Sequence, residues 1–165
     1  KNGAHIINDI SAGEKDLKMF ETIINLDVPY IMMHMQGDSK NMQINPKYED
    51  VNSDIISFFK QKVKYLNTKG FKKIIIDPGF GFGKTKEHNY EILKNLNKFR
   101  ELNLPILAGL SRKSMIYNLL EISAEEALNG TSIVNTISLL NGANILRVHD
   151  VKQAVECIRI YSMIK

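Results

Sequence analysis

The sequence predicts an α/β protein in which a parallel β-sheet is covered by helices. Short apolar runs typical of strands alternate with longer amphipathic runs typical of helices, five times over in 165 residues. Strict alternation favours parallel strands, because each helix carries the chain back between two strands of the same direction. At about 33 residues per unit, eight units would need roughly 260 residues, close to the length of a (β/α)8 TIM barrel. A doubly wound five-stranded sheet fits the same alternation, so periodicity leaves both architectures open.

Five runs are predicted to be strands, because each is short, apolar and bounded by polar or turn-forming residues. They are His5–Asp9, Pro29–Met33, Lys73–Asp77, Pro105–Gly109 and Asn144–Val148. A helix is predicted after each strand. The first has apolar residues at helical spacing, which are Leu17, Phe20, Ile23 and Ile24.

The second predicted helix, from about Pro46 to Lys69, is the longest, and Gly70 is its natural stop. Its apolar face consists of Ile55, Ile56, Phe59, Val63 and Leu66. A third helix is predicted over His88–Leu102. A capping box formed by Ser123 and Glu126 opens a fourth, which continues to about Leu140. The residues that mark the last helix are Val155, Ile158 and Met163.

The composition is that of an ordinary globular protein, with 44% hydrophobic and 24% charged residues. The net charge of +4 comes with lysines scattered along the chain, so we expect no nucleic-acid partner. No run approaches the ~20 apolar residues of a membrane span. The single Cys157 cannot form an internal disulfide, which favours a reducing compartment. The chain enters an apolar run at once without an initiator Met, so we expect it to be part of a longer protein.

Polar side chains follow every predicted strand at its carboxyl end. In chain order they are Asn8 and Asp9, His34 and Gln36, Asp77, Ser111 to Lys113, and Arg147, His149 and Asp150. The amino ends of the strands have no such pattern. Because ligands of parallel α/β folds bind at the carboxyl edge of the sheet, the five endings together predict a binding site there.

The segment DPGFGFGKT, residues 77–85, contains three glycines but matches neither nucleotide-binding motif. A phosphate-binding loop that ends in Gly83-Lys84-Thr85 would need glycine where Pro78 stands. The dinucleotide fingerprint would need its third glycine at Lys84. What remains is a glycine-rich turn that could approach a flat ligand, with Phe80 and Phe82 available to cover it, or simply a tight loop.

Six segments, INDIS, MHMQG, DPGFGFGKT, GLSRKS, NGTS and LRVHDV, together carry a resemblance to the dihydropteroate synthases, a family of pterin-binding enzymes. They stand in the order and spacing of that family and cover the whole chain. The resemblance implies a (β/α)8 TIM barrel of which this chain, residues 1–165, is the C-terminal part with the last five βα units of one domain. Where Ser39 stands, the family commonly has Pro.

Enzymes of this family join 6-hydroxymethyl-7,8-dihydropterin pyrophosphate to 4-aminobenzoate, giving 7,8-dihydropteroate and pyrophosphate in folate biosynthesis. The resemblance implies that the pterin contacts Asn8, Met33, Asp77 and Lys113, and that 4-aminobenzoate contacts Phe82, Ser111 and Arg112. Arg147 and His149 lie two apart at a strand end, so their side chains project the same way and are expected to bind the leaving pyrophosphate. The residues expected to be catalytic are Asp77, Lys113, Arg147 and His149.

The resemblance also implies Mg²⁺ on the diphosphate, a homodimer formed through outer helices, a cytoplasmic location and sulfonamide as an inhibitor. No metal ligand is expected in this chain, because the family's metal-binding Asn belongs to units that precede it. Without those units, the isolated chain is expected to be incomplete. Small-molecule substrates are expected, and neither a nucleic acid nor a membrane is.

Other interpretations remain open from the sequence. A corrinoid-type methyltransferase shares the barrel and the pterin site, and an inactive barrel fragment would share the motifs. Asp77 before Pro-Gly is also typical of a turn. His34 is expected to be a structural hydrogen-bonding group, Asp9 and Asp150 to position their neighbours or cap helices, and Lys84 to be solvated.

Overall fold

The structure is a computed structural model that describes residues 3–37, 42 and 45–165. Ser39 lies outside the described residues. The described residues contain five strands, β1 (Ile7–Asp9), β2 (Tyr30–Met33), β3 (Ile74–Asp77), β4 (Leu107–Ala108) and β5 (Ile145–Leu146). Each lies within its predicted run but is shorter, because only part of each run has ladder partners, and in β1, β2 and β3 this is the carboxyl-terminal part.

All strand pairs are parallel, and neighbours in the sheet are neighbours in the sequence. β1, β2 and β3 form one ladder, and β4 and β5 form a second. A parallel bridge between Ile76 and Ile106 joins the two ladders, with the Ile76 N–H donating to the Pro105 carbonyl at 3.0 Å. A doubly wound sheet reverses its strand order at a switch point. The sequential order found here is that of a barrel wall.

Six α-helices and one 3₁₀ helix connect the strands in the described part of the chain. The α-helices are α1 (Met19–Leu26), α2 (Val51–Thr68), α3 (Lys86–Lys94), α4 (Ser114–Leu120), α5 (Leu128–Leu140) and α6 (Val151–Ser162). The 3₁₀ helix, Leu96–Leu102, follows α3. None of these helices is long and apolar enough to cross a membrane.

Helix boundaries differ from the sequence prediction at several points. Leu17 precedes α1 and is 96% exposed, so it was wrongly assigned to the first apolar face. The third predicted helix breaks at Asn95 into α3 and the 3₁₀ helix. The Ser123 hydroxyl accepts from the Glu126 N–H at 3.4 Å, so the capping contact forms, but α5 begins only at Leu128. α4 was not predicted.

The core lies between one face of the sheet and the helices. Tyr30, Met32 and Ile76 are buried on that face and belong to the same cluster as Phe59 and Leu66 of α2. The predicted apolar face of α2 is confirmed, since Ile55, Ile56, Phe59 and Leu66 are buried and Val63 packs against the cluster. The last helix is confirmed, but its inward residues are Ala154 and Cys157, whereas Val155, Ile158 and Met163 are exposed.

Candidate active site

Three of the side chains that were predicted to bind the pterin project from the face of the sheet opposite the helices. Alternation along the strands places Asn8, Met33 and Asp77 on that face, because Asn8 pairs with Ile31 and Met33 pairs with Asp77. Asp77 and Met33 are buried, whereas Asn8 is exposed.

Asp77 is a buried carboxylate with only 3% of its surface exposed. Its Oδ1 accepts the backbone N–H of Gly79 at 2.8 Å. Burial raises the pKa of Asp77, while the Gly79 N–H and the positive charges of Lys113, Arg147 and Lys84 act to lower it. These cations therefore support an ionised carboxylate in a place where burial disfavours it.

Lys113 joins this carboxylate to the glycine-rich turn. Its ammonium group donates to the Phe80 carbonyl and lies 4.8 Å from the centre of the Phe82 ring, a cation–π contact. Burial lowers the pKa of Lys113 to about 8; the charge of Asp77 acts to raise it, and Arg147 lowers it further.

A cavity of about 440 Å³ opens at the carboxyl ends of β4 and β5. The residues that line it are Phe82, Gly109, Ser111, Arg112, Lys113, Arg147, Val148 and His149. Six of these were predicted as substrate-binding residues. Gly109 leaves room for the Arg147 guanidinium, since a Cβ at Gly109 would lie 3.0 Å from Arg147 Nη2. Asn8, Met33 and Asp77 are not among the lining residues.

Ser111 and His149 form a hydrogen-bonded pair in the cavity wall. The Ser111 hydroxyl accepts the backbone N–H of His149 at 3.2 Å and lies 2.9 Å from His149 Nδ1. The imidazole is thus oriented through one ring nitrogen, and Nε2 remains as its second polar atom.

Arg112 is bound mainly to the protein. Its Nε and Nη2 donate to the two carboxylate oxygens of Asp150 at 2.9 and 3.0 Å, and its Nη1 donates to the Ala124 carbonyl at 2.9 Å. The hydrogen bonds from Arg112 hold the pKa of Asp150 below its ordinary value. The prediction that Asp150 positions a neighbour is confirmed, whereas contact of Arg112 with 4-aminobenzoate stays a prediction.

Both carboxylate oxygens of Asp9 are occupied, because each accepts two hydrogen bonds from the protein. The donors are the Ser11 N–H and hydroxyl at 2.8 and 2.6 Å, the Gly13 N–H at 2.6 Å and the Tyr30 hydroxyl at 2.7 Å. Although burial acts to raise its pKa, these hydrogen bonds lower it overall. Asp9 therefore positions the β1 exit, as predicted.

The prediction that Lys84 is solvated is wrong, since only 3% of the residue is exposed. Its Nζ lies 3.0 Å from His34 Nδ1 and donates to the carbonyls of Phe82 at 2.9 Å and His34 at 3.4 Å. Burial lowers the pKa of Lys84 to about 7 and that of His34 to about 2. The structural role predicted for His34 is confirmed. The only sequence signal for Lys84 was its place in a turn whose glycines allow close packing.

Within the described ranges, no three or more His, Cys, Asp or Glu residues group as a metal site would require. Both oxygens of Asp150 are bound by Arg112, and Oδ1 of Asp77 is bound by the Gly79 N–H. The described residues therefore do not fit Mg²⁺ as a set of oxygen ligands.

A family model and individual relatives agree on the family to which this chain is similar. The family described as "Pterin binding enzyme" matches residues 1–149. The dihydropteroate synthase of Escherichia coli K12 is 43% identical over 162 residues, which cover 97% of this chain and 57% of that enzyme. The chain therefore spans little more than half the length of this relative.

Solved structures agree with the sequence match. The dihydropteroate synthase of Yersinia pestis, in complex with a sulfonamide drug, superposes with a TM-score of 0.93 at 40% identity, covering 98% of this chain and 59% of that one. The enzyme of Xanthomonas albilineans, in complex with 7,8-dihydropteroate, gives a TM-score of 0.89 at 33% identity, with coverage of 98% and 60%.

Proposed function

The chain belongs to the pterin-binding enzyme family, and on that premise we propose that the complete protein is a dihydropteroate synthase of folate biosynthesis. Its substrates are 6-hydroxymethyl-7,8-dihydropterin pyrophosphate and 4-aminobenzoate. The observation that carries the proposal is the cavity in which Lys113, Arg147 and His149 meet Phe82, with the buried Asp77 carboxylate electrostatically coupled to two of them. The product complex of the Xanthomonas albilineans relative supports the same reaction.

On the pterin side, Asp77 accepts the paired N–H donors of the pyrimidine edge. A carboxylate can accept two parallel N–H groups at once, and such charge-assisted bonds are strong in a buried place. Lys113 donates to the pterin carbonyl or a ring nitrogen. Met33 provides an apolar contact on the same face as Asp77, and Asn8 offers a donor and an acceptor farther along that face.

The diphosphate lies against Arg147 and His149. A guanidinium matches two phosphate oxygens at once, and its position over Gly109 directs it along the cavity wall. His149 is oriented by Ser111 and supplies a second donor. Together they stabilise negative charge as it develops on the leaving group.

The 4-aminobenzoate ring packs on Phe82, next to Ser111 and Arg112. In the reaction, the C–O bond to the diphosphate breaks and its electron pair leaves with pyrophosphate. The arylamine nitrogen then attacks the exocyclic carbon and gives up one proton, which the released pyrophosphate accepts. A dihydropterin can delocalise the developing cation, so no protein nucleophile is required.

Mg²⁺ enters the proposal only as a partner of the diphosphate oxygens, since the described residues offer it no ligand set.

The remaining parts of the proposal concern the whole protein. Residues 1–165 are the last five βα units of one eight-unit TIM barrel domain. Exposed apolar residues of α5 and α6, such as Ile133 and Ile158, suit a homodimer through outer helices. The proposal also includes a cytoplasmic location and inhibition by sulfonamides.

The test is a product assay on the complete protein with both substrates and magnesium. We expect equimolar 7,8-dihydropteroate and pyrophosphate, and inhibition by a sulfonamide that competes with 4-aminobenzoate. Arg147→Ala should reduce turnover strongly, whereas the exposed Arg159→Ala should not. Absence of product from the folded complete protein would refute the proposal.

A further inference from the structure

The glycine-rich loop, defined here as Phe80–Gly83, is fixed by side chains along its whole length. Each of its residues makes a hydrogen bond to a side chain from elsewhere. In loop order, the partners are Lys113, Asn89, Lys84 and Tyr48. Only two of these partners are cations, and they bind alternate carbonyls, Lys113 that of Phe80 and Lys84 that of Phe82.

Lys84 is unusual for a buried lysine, because its amino group meets uncharged acceptors. Three acceptors surround Nζ, which are His34 Nδ1 and the carbonyls of His34 and Phe82. An ammonium group has three N–H donors and can satisfy all three. Among the described residues, no carboxylate oxygen lies within ion-pair distance of Lys84. Even with the charge of Asp77 nearby, burying an ammonium group that no carboxylate contacts is costly, so retention of Lys84 indicates a role beyond stability.

The loop that leaves β2 and the glycine-rich loop are in direct backbone contact around this lysine. A Cβ at Gly79 would lie 1.9 Å from the His34 carbonyl oxygen, and a Cβ at Gly83 would lie 2.2 Å from that of Gln36. Lys84 adds the polar link between the two loops, since it binds His34 on one and Phe82 on the other.

The two lysines differ in what they face. Lys113 lines the cavity, so its donors are available to a substrate, and binding a substrate would weaken its hold on the loop. Lys84 is buried behind the loop and does not line the cavity. Its bond to the Phe82 carbonyl can persist while Lys113 exchanges partners.

We propose that Lys84 is a positioning residue for the aminobenzoate side of the site: its buried amino group fixes the Phe82 carbonyl and thereby the Phe82 ring that receives the arylamine. The proposal rests on the proposed synthase function. It assigns Lys84 no contact with either substrate, and it makes His34 the anchor through which the β2 exit supports the ring.

The experiment compares Lys84→Met with Lys86→Met in the complete protein. Methionine is unbranched and lacks only the terminal amino position, so it has no donor, and Lys86 is an exposed lysine two residues away. For K84M we expect the KM for 4-aminobenzoate to rise about tenfold or more, with kcat and the KM for the pterin pyrophosphate within about threefold. K86M should match the wild type. A merely structural role would lower the folded fraction and therefore kcat, without a selective effect on one KM.

A double-mutant cycle with Phe82→Leu connects the effect to the ring. If Lys84 acts through Phe82, the double variant should be no worse than F82L alone; additive losses would overturn the proposal. Should K84M fail to fold, His34→Leu gives a second readout, because it removes the ring nitrogen that holds Lys84 and leaves Phe82 in place. The KM for 4-aminobenzoate should again rise selectively, and an unchanged KM in folded H34L would equally overturn the proposal.

The outcomes for the two proposals are separable. If the wild-type complete protein makes no dihydropteroate, the synthase assignment fails first. If the wild type is active but folded K84M shows wild-type KM values for both substrates, only the role of Lys84 is lost.

Discussion

Asp77, Lys84 and Lys113 are charged groups that burial disfavours, and the carboxylate of Asp77 and the two lysines support each other's charged forms. Burial raises the pKa of Asp77 and lowers that of Lys84 to about 7 and that of Lys113 to about 8. The negative charge of Asp77 favours the ammonium forms, and their positive charges favour the carboxylate. A carboxylate held in this way at a strand end is ready to accept N–H donors from a flat heterocycle.

Asp77→Asn tests that role at a single residue. The amide keeps the size of the side chain but loses the charge and can no longer accept two N–H bonds with both oxygens. In the complete protein we expect kcat/KM for the pterin pyrophosphate to fall about 100-fold or more. Steady-state kinetics measure the change, with the exposed Asp16→Asn as the control. A D77N enzyme with near-wild-type kinetics would remove Asp77 from the site.

His34 should make stability depend on pH. Its pKa is about 2 in the folded protein, because burial and the charge of Lys84 disfavour the imidazolium, and 6.5 is its ordinary value. Between these two pKa values, His34 is protonated in the unfolded chain and neutral in the folded protein, so the unfolded chain binds one more proton. The free energy of unfolding should therefore fall by about 1.4 kcal/mol per pH unit between about pH 6 and pH 4.5 from this group.

The measurement is urea unfolding of the complete protein across that range, for the wild type and His34→Gln. Glutamine does not titrate. The difference in the free energy of unfolding between the two proteins should therefore change by about 1.4 kcal/mol per pH unit, the slope expected for one proton. Parallel curves would mean that His34 is protonated equally in both states.

At the scale of elements, the site depends on how two loops at the ends of β2 and β3 pack. Gly79 and Gly83 have φ of +72° and +63°, and both lie against backbone carbonyls of the β2 exit. The glycines of DPGFGFGKT therefore serve loop packing beside the cavity, which explains why their spacing fits neither nucleotide-binding motif. The segment can therefore be both a tight loop and a part of the candidate site.

Gly79→Ala and Gly70→Ala form a matched pair that isolates this packing. Gly70 has φ +78°, so both substitutions put alanine in the left-handed region, but no atom lies within 4 Å of a Cβ at Gly70. We expect G79A to reduce the free energy of unfolding by about 2 kcal/mol more than G70A, because the new Cβ forces the loops apart. Equal losses in chemical denaturation would show that the contact does not matter.

At the scale of the whole molecule, the chain covers 57% of its E. coli relative, and the proposed function puts the diphosphate against Arg147 and His149. Pyrophosphate should therefore stabilise the complete protein. At ~100 times its Kd, a ligand that binds only the folded state adds about 2.7 kcal/mol, or several degrees in Tm. Thermal unfolding should show that shift in the wild type and lose it when Arg147 and His149 are both replaced by alanine. A pterin-binding methyltransferase would have no reason to respond.

The sequence predicted what depends on local pattern and missed what depends on distant contacts. The strand ends that carry Asp77 and Arg147 followed from alternation, whereas the substrate-binding roles of the candidate site residues came from the family resemblance and stay predictions. Alternation alone did not decide the strand order, because it fits a barrel and a doubly wound sheet, and the barrel was implied only by the resemblance. The burial of Lys84 depends on a loop 50 residues earlier in the chain. α4 was missed because its seven residues are too few to establish helical spacing.

The most direct test is a crystal structure of the complete protein with bound 7,8-dihydropteroate. We expect the pyrimidine N–H groups of the pterin within about 3 Å of the Asp77 carboxylate, Lys113 turned from the Phe80 carbonyl to the pterin, and the aminobenzoate ring against Phe82. A product molecule bound away from the carboxyl ends of β3, β4 and β5, with Asp77 and Lys113 uncontacted, would contradict the account.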